Sequence, residues 1–215
     1  MMPIADLESS LNKDELTLIR ELTTPAKVQS FLDATPYSPD PFYRSPLRVV
    51  RDRKAHCFDG AVFAAAILRR IGYPPLILEL IPNHRDDDHL LAVFKLDGTW
   101  GAVAQSNFTG LRYREPIYRT LRELVMSYFD PFYTVEREKT LRGYGFPMNL
   151  ARYDPLCWEV RDEPLDRISD DLDDQRHFSL LTPKQEGQLS LLDERSAKAG
   201  LSESVDAGLW KPGKQ

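Results

Sequence analysis

Ala55-His56-Cys57-Phe58-Asp59-Gly60-Ala61-Val62-Phe63-Ala64-Ala65-Ala66-Ile67-Leu68-Arg69-Arg70-Ile71-Gly72 is the stretch around which the rest of the chain organises itself. Residues 57–71 are apolar almost all round, and Gly72 stops the run. A helix of that composition has no polar face to offer water, so it belongs in the centre of a domain. Cys57, Ala61, Ala64, Leu68 and Ile71 fall on one stripe, with Cys57 at its N-terminal end. A thiol placed there meets unpaired backbone N–H groups and the positive end of the helix dipole. Both favour the thiolate.

The segments after Gly72 supply a partner for that helix. Residues 76–81 are a nearly continuous apolar run, the pattern of an inner strand. Residues 83–88 are a polar loop. His89, in Asp86-Asp87-Asp88-His89-Leu90-Leu91, opens a second strand over 89–96. Asp97-Gly98 is a two-residue hairpin turn, and a third strand is expected over 99–107. Pairing Leu96 with Thr99 across the turn places His89 opposite Ser106, with Ala104 and Phe108 diagonal to it. A histidine brought beside a cysteine can take the thiol proton and later return it to a leaving group.

Upstream, Thr24-Pro25 and Ser45-Pro46 are each an N-cap followed by proline at the first helical position. They predict helices from 25 through Leu32 and from 46 to about 53, after a first short helix over 12–22. Residues 35–41 form a proline-rich loop. Downstream, 118–129 predicts an amphipathic helix with Leu121, Leu124, Val125 and Tyr128 inward. Residues 141–154 read as ordered but irregular. Residues 162–174 are acidic, a solvated face anchored by Leu165, Ile168 and Leu172. A last helix is expected over 183–199, capped at Thr182, with 201–215 a loose tail.

The 215 residues suit a single α+β domain over 1–200, with its core at 24–129 and a C-terminal wrap over 130–200. Hydrophobic residues make up 42%, enough for a real core. The net charge of −5 opposes general binding to nucleic acid or an acidic membrane, which needs a positive field. No apolar run approaches the roughly 18 residues of a membrane span. Residues 1–10 carry Asp6 and Glu8 without an apolar stretch, so no signal peptide is expected. Two distant cysteines, Cys57 and Cys157, fit a reduced, cytoplasmic protein better than a disulfide framework. Nothing in the sequence speaks to oligomeric state.

The ordered set of Ser45-Pro46-Leu47-Arg48-Val49-Val50, Cys57-Phe58-Asp59, Arg69-Arg70-Ile71-Gly72-Tyr73-Pro74, the His89 strand, Asp97-Gly98 and Thr99-Trp100 resembles the transglutaminase-like superfamily. More narrowly, with Gly110-Leu111-Arg112-Tyr113-Arg114-Glu115-Pro116, it resembles a bacterial group within it. The resemblance spans about sixty residues. It implies a papain-like core: a central helix packed on a small antiparallel sheet, with extra flanking helices. It also implies acyl transfer by a Cys–His–Asp triad needing no cofactor and no metal. Cys57 matches the nucleophile and His89 the general base and acid. The family aspartate, four residues after the strand tryptophan, falls on Ala104, which cannot accept a hydrogen bond from an imidazole. Gln105 or Asn107 would have to orient the ring instead, and the Cys57 N–H is the generic oxyanion donor.

This reading gives a cysteine-dependent amide hydrolase or acyl transferase acting on a peptide or small amide. Trp100, Ser106, Arg112 and Arg114 are its candidate substrate-binding residues, the arginines through an anionic group. The alternative is a catalytically inactive domain that binds a peptide or small ligand in the old cleft. Bland readings stand beside these. Cys57 suits a packed small hydrophobe, and His89 suits a strand end paired with Asp87 or Asp88. The arginines suit pairing with Glu115 and Glu123. His84, Asp86, Asp87, Asp88 and His89 crowd one loop near His56 and Cys57, but without regular metal-ligand spacing.

Overall fold

The computed structural model describes residues 7–210. In chain order they form α1 (Leu7–Ser10), α2 (Lys13–Glu21), α3 (Pro25–Asp33), α4 (Pro46–Asp52), α5 (Cys57–Arg70), β1 (Leu76–Pro82), β2 (His89–Leu96) and β3 (Thr99–Val103). There follow β4 (Arg114–Tyr118), α6 (Leu121–Met126), β5 (Leu141–Tyr144), β6 (Met148–Asn149), α7 (Pro164–Asp173), β7 (Phe178–Ser179), α8 (Pro183–Glu186) and α9 (Glu194–Gly200).

The helix starts obey local chemistry. Asn12, Thr24 and Ser45 each accept from a first-turn backbone N–H, and proline follows the latter two. α5 is capped by His56, whose Nδ1 accepts from the Phe58 and Asp59 N–H groups at 3.1 and 3.4 Å. Asp59 returns the bond to the His56 N–H at 3.2 Å and closes a capping box. From Phe58 to Leu68 every residue of α5 is buried. The helix lies against β2, β1, α3 and α4, so its all-apolar composition is matched by neighbours on all sides.

The sheet is antiparallel in every ladder, in the order β4-β3-β2-β1-β5-β7, with β6 also on β1. At the hairpin Asp97 and Gly98 have φ of 48° and 86°, the left-handed pair a type I′ turn requires, and Leu96 pairs with Thr99. One face of the sheet, with Ile77, Leu90, Ala92 and Phe94, packs on α5. The other, with Leu78, Leu80, Leu91 and Val93, packs under α6 with Tyr128 and Phe132.

Several expectations change. β3 ends at Val103, so His89 pairs only with Leu80 of β1 and has no ladder partner at Ser106. β4 occupies the start of the expected 118–129 helix, which is shortened to α6 and capped by Thr120. Segment 141–154 contributes β5 and β6 to the sheet. Residues 162–174 are mostly the helix α7, with Leu165, Ile168 and Leu172 buried as expected. The 183–199 helix is split into α8, capped at Thr182, and α9. Residues 201–210 are held rather than loose. Asn107 Nδ2 donates to the Val205 carbonyl at 2.9 Å, and Asn107 Oδ1 accepts from the Val205 N–H at 2.7 Å. Residues 211–215 of the expected tail lie outside the described residues. No described helix is long and apolar enough to cross a membrane.

Candidate functional site

A cavity of about 450 Å³ opens where the N-terminus of α5, the start of β2 and the segment after β3 meet. Both Cys57 and His89 line it, and no hydrogen bond joins them among the described residues.

Cys57 is half-buried and free of disulfide. Its thiol is pushed up rather than down, by burial first and then by the carboxylates of Asp88 and Asp59. Burial and these two carboxylates outweigh the pull of the helix N-terminus, so the expected thiolate is not delivered. The Phe58 and Leu90 N–H groups favour the thiolate but do not offset these effects.

His89 is 4% exposed, and its Nε2 lies 2.8 Å from the Leu111 carbonyl oxygen. A carbonyl only accepts, so Nε2 carries the proton and Nδ1 keeps its lone pair. Burial lowers the imidazole to about pKa 4. His56 is likewise lowered to about 4, by burial and then the Arg44 charge, which suits a neutral ring whose Nδ1 caps α5. Phe132 meets the His89 ring edge-on, with centroids 6.4 Å apart.

Leu111 therefore holds the imidazole, and Gln105 and Asn107 do not. Gln105 Nε2 donates to the Leu32 and Thr35 carbonyls at 3.1 and 2.7 Å, tying the segment after β3 to α3. Asn107 holds Val205. Ala104 is buried, and its N–H and carbonyl both bond to the Gln29 side chain.

Of the expected substrate contacts, Ser106 lines the cavity, although its hydroxyl accepts from the Phe108 N–H. Trp100 does not line it. That ring packs on the far face of the sheet beneath Lys95. Arg112 bonds Asp33 and the Ser106 carbonyl. Arg114 stacks on Tyr128 at 3.9 Å and bonds Ser127, Tyr113 and Gly110. Both guanidiniums brace the segment before β4, and neither lines the cavity.

Other residues of the site carried no sequence signal. Tyr37, from the proline-rich loop, sets its hydroxyl against the Cys57 N–H. Its ionisation is pushed up by burial, then by Cys57 and Asp87. Glu79 of β1 is 5% exposed, lines the cavity, and its Oε2 has no hydrogen-bond partner. Burial, then Asp88 and Asp173, push its carboxyl up to about 8. Asp86, Asp87, Asp88 and Asp173 line the same side, whereas no lysine or arginine among the described residues lines the cavity. No described group of three His, Cys, Asp or Glu residues is arranged to hold a metal ion. The last described residues, Ala207 to Trp210, close part of the rim.

Several solved structures are similar to parts of the chain. Legionella pneumophila LapG is 21% identical, with a TM-score of 0.35, over 45% of this chain and 67% of that one. The EGTA-treated form of LapG is 20% identical, with a TM-score of 0.35, over 46% of this chain and 66% of that one. No family model and no curated protein matches the chain.

Proposed function

We propose that the protein is a cysteine-dependent amide hydrolase or acyl transferase with a papain-like, transglutaminase-like core. It acts on a peptide or small amide without a cofactor. One observation carries the reading: the His89 ring is anchored through Nε2 to the Leu111 carbonyl, inside the cavity that Cys57 also lines. That anchorage leaves Nδ1 as the free base.

With the thiol pushed up and the imidazole lowered, the resting pair is neutral thiol and neutral imidazole. The chemistry is then general-base catalysis. His89 Nδ1 takes the thiol proton as Cys57 Sγ bonds to the substrate carbonyl carbon, and the carbonyl π electrons move to oxygen. The oxyanion is received by the Tyr37 hydroxyl and by the Cys57 N–H, which turns to it from the Tyr37 oxygen. The imidazolium gives its proton to the leaving amine as the C–N bond breaks, leaving a thioester. Water or an amine opens the thioester with His89 again as base. A neutral carbonyl stabilises the imidazolium less than a carboxylate does, which costs rate.

A second reading has its own support. The missing Cys57–His89 hydrogen bond and the raised thiol suit an inactive domain that binds a peptide or small ligand in the cavity. Iodoacetamide alkylation of Cys57 against pH, in Cys157→Ser and in Cys157→Ser/His89→Ala, separates the two. The enzyme reading expects a fall of about tenfold or more at pH 7 when His89 is removed. A rate that ignores His89 would mean a binding module.

A further inference from the structure

We propose that the acidic side of the cavity, centred on Glu79, is a subsite for an organic cation: the lysine or arginine side chain of a peptide substrate. The inference rests on reading the cavity as a substrate cleft and adds the chemistry of what enters it.

Glu79 is the anchor of the argument. Its side chain is 6% exposed and comes from the middle of a sheet strand, where a carboxyl is costly unless something compensates it. Its Oε2 has no hydrogen bond, and the nearest cationic-capable atom is His177 Nε2 at 3.7 Å, on a side chain 40% exposed. Every other charged group facing it is acidic. Asp86, Asp87 and Asp88 come from the loop before β2, and Asp173 from the end of α7. Asp40, which also lines the cavity, is already bonded by Arg44. His56 and His89 are neutral rings, and the Cys57 thiol is protonated. Burial raises the carboxyls of Glu79, Asp86 and Asp88, and neighbouring carboxylates add to it.

Two features select the kind of cation. No described cluster is arranged to clasp a metal ion, so the charge is not organised around one small centre. The cavity that Glu79 lines is also lined by Tyr43, Phe58 and Leu172. An aliphatic stem ending in a cation fits such a cavity, with its methylenes on the apolar residues and its head among carboxylates.

The test is equilibrium binding by calorimetry at pH 8.5, with N-acetyl-lysine amide and N-acetyl-arginine amide against N-acetyl-norleucine amide. The protein forms are the full chain, Glu79→Gln, Asp88→Asn and Cys57→Ala. Both basic amides are expected to bind and the norleucine amide not to. Affinity should fall about tenfold in Glu79→Gln and less in Asp88→Asn, and at pH 6, where Glu79 holds a proton, the parent should also bind more weakly. Circular dichroism melting confirms that each variant is folded. Cys57→Ala should bind like the parent, so loss of catalysis does not count against the subsite. Equal binding of the norleucine amide, or unchanged binding in Glu79→Gln, overturns the proposal. So does calcium chloride that displaces the lysine amide and raises the melting temperature only while Glu79 is present, which would mean a metal site.

Discussion

At the scale of single residues, the chemistry of this protein depends on which polar atoms are already spent. Cys57 remains a thiol because burial and the Asp88 and Asp59 carboxylates outweigh the Phe58 and Leu90 N–H groups. The His89 Nε2 proton goes to Leu111, so Nδ1 is a base. Glu79 Oε2 accepts no hydrogen bond and has only His177 Nε2 at 3.7 Å, which makes it the easiest residue to test. Its folded carboxyl titrates near 8 against an ordinary value of 4.5. Between those pH values the native state binds the extra proton, so the stability Glu79 contributes is present below pH 4.5 and is lost as pH rises through 8. Glu79→Gln keeps the shape and removes the titration. Its unfolding free energy from urea titration should match the parent's near pH 5 and exceed it at pH 9 by on the order of 2–4 kcal/mol. A parent-minus-variant difference that stays flat from pH 5 to 9 would show that the carboxyl is not held unpaired in the folded protein. The caps at Thr24 and Ser45 were legible in the sequence because a cap is read from its immediate neighbours. The Leu111 carbonyl was not, since a backbone acceptor has no side-chain signature.

Among the secondary-structure elements, α5 and the segment after β3 position the site together. Gly60 of α5 faces Gln105, and a Cβ there would overlap the Gln105 Cβ. Gly60→Ala should therefore push the segment off the helix and cost about 1–3 kcal/mol by overpacking, read as a lower urea midpoint. An unchanged midpoint would mean that the segment is not seated on α5. The same segment holds the chain after α9, through the two Asn107 bonds to Val205. A Cβ on Gly208 would meet the Tyr37 ring at 2.7 Å, so this strand of chain lies close over the loop that carries Tyr37. Asn107→Ala should lower amide-exchange protection at Val205 and speed Cys57 alkylation a few-fold, with little change in global stability. Protection that persists in the variant would assign the hold to other contacts. The element types were legible where periodicity is strong, as in α5, β1 and the β2–β3 hairpin. They were not legible for β4 to β7, which are two to five residues long and become strands only by pairing with a neighbour distant in sequence.

For the whole molecule, a net charge of −5 says little, but its distribution says more. Carboxylates from β1, the loop before β2 and the end of α7 converge on one cavity without a lysine or arginine among its described lining. A low-dielectric cleft of one sign concentrates counter-charged reagents. In the Cys157→Ser background, a cationic methanethiosulfonate should modify Cys57 roughly tenfold faster than an anionic one, after correction against a free thiol. The ratio should approach one in about 1 M salt, where screening acts within about 3 Å. Equal rates at low salt would remove the acidic field from the account of the site. The sequence by itself determined the buried central helix, its N-terminal cysteine, the hairpin and the strand that begins with His89. Each of these is written in neighbouring residues, as a cap, a period or a turn pair. Only the tertiary structure decided that a leucine carbonyl holds the imidazole, that Gln105 and Asn107 are engaged elsewhere, and that Glu79 faces the cavity unpaired. Those outcomes depend on which distant segments meet, and long-range meeting is set by packing of the whole chain rather than by any local pattern.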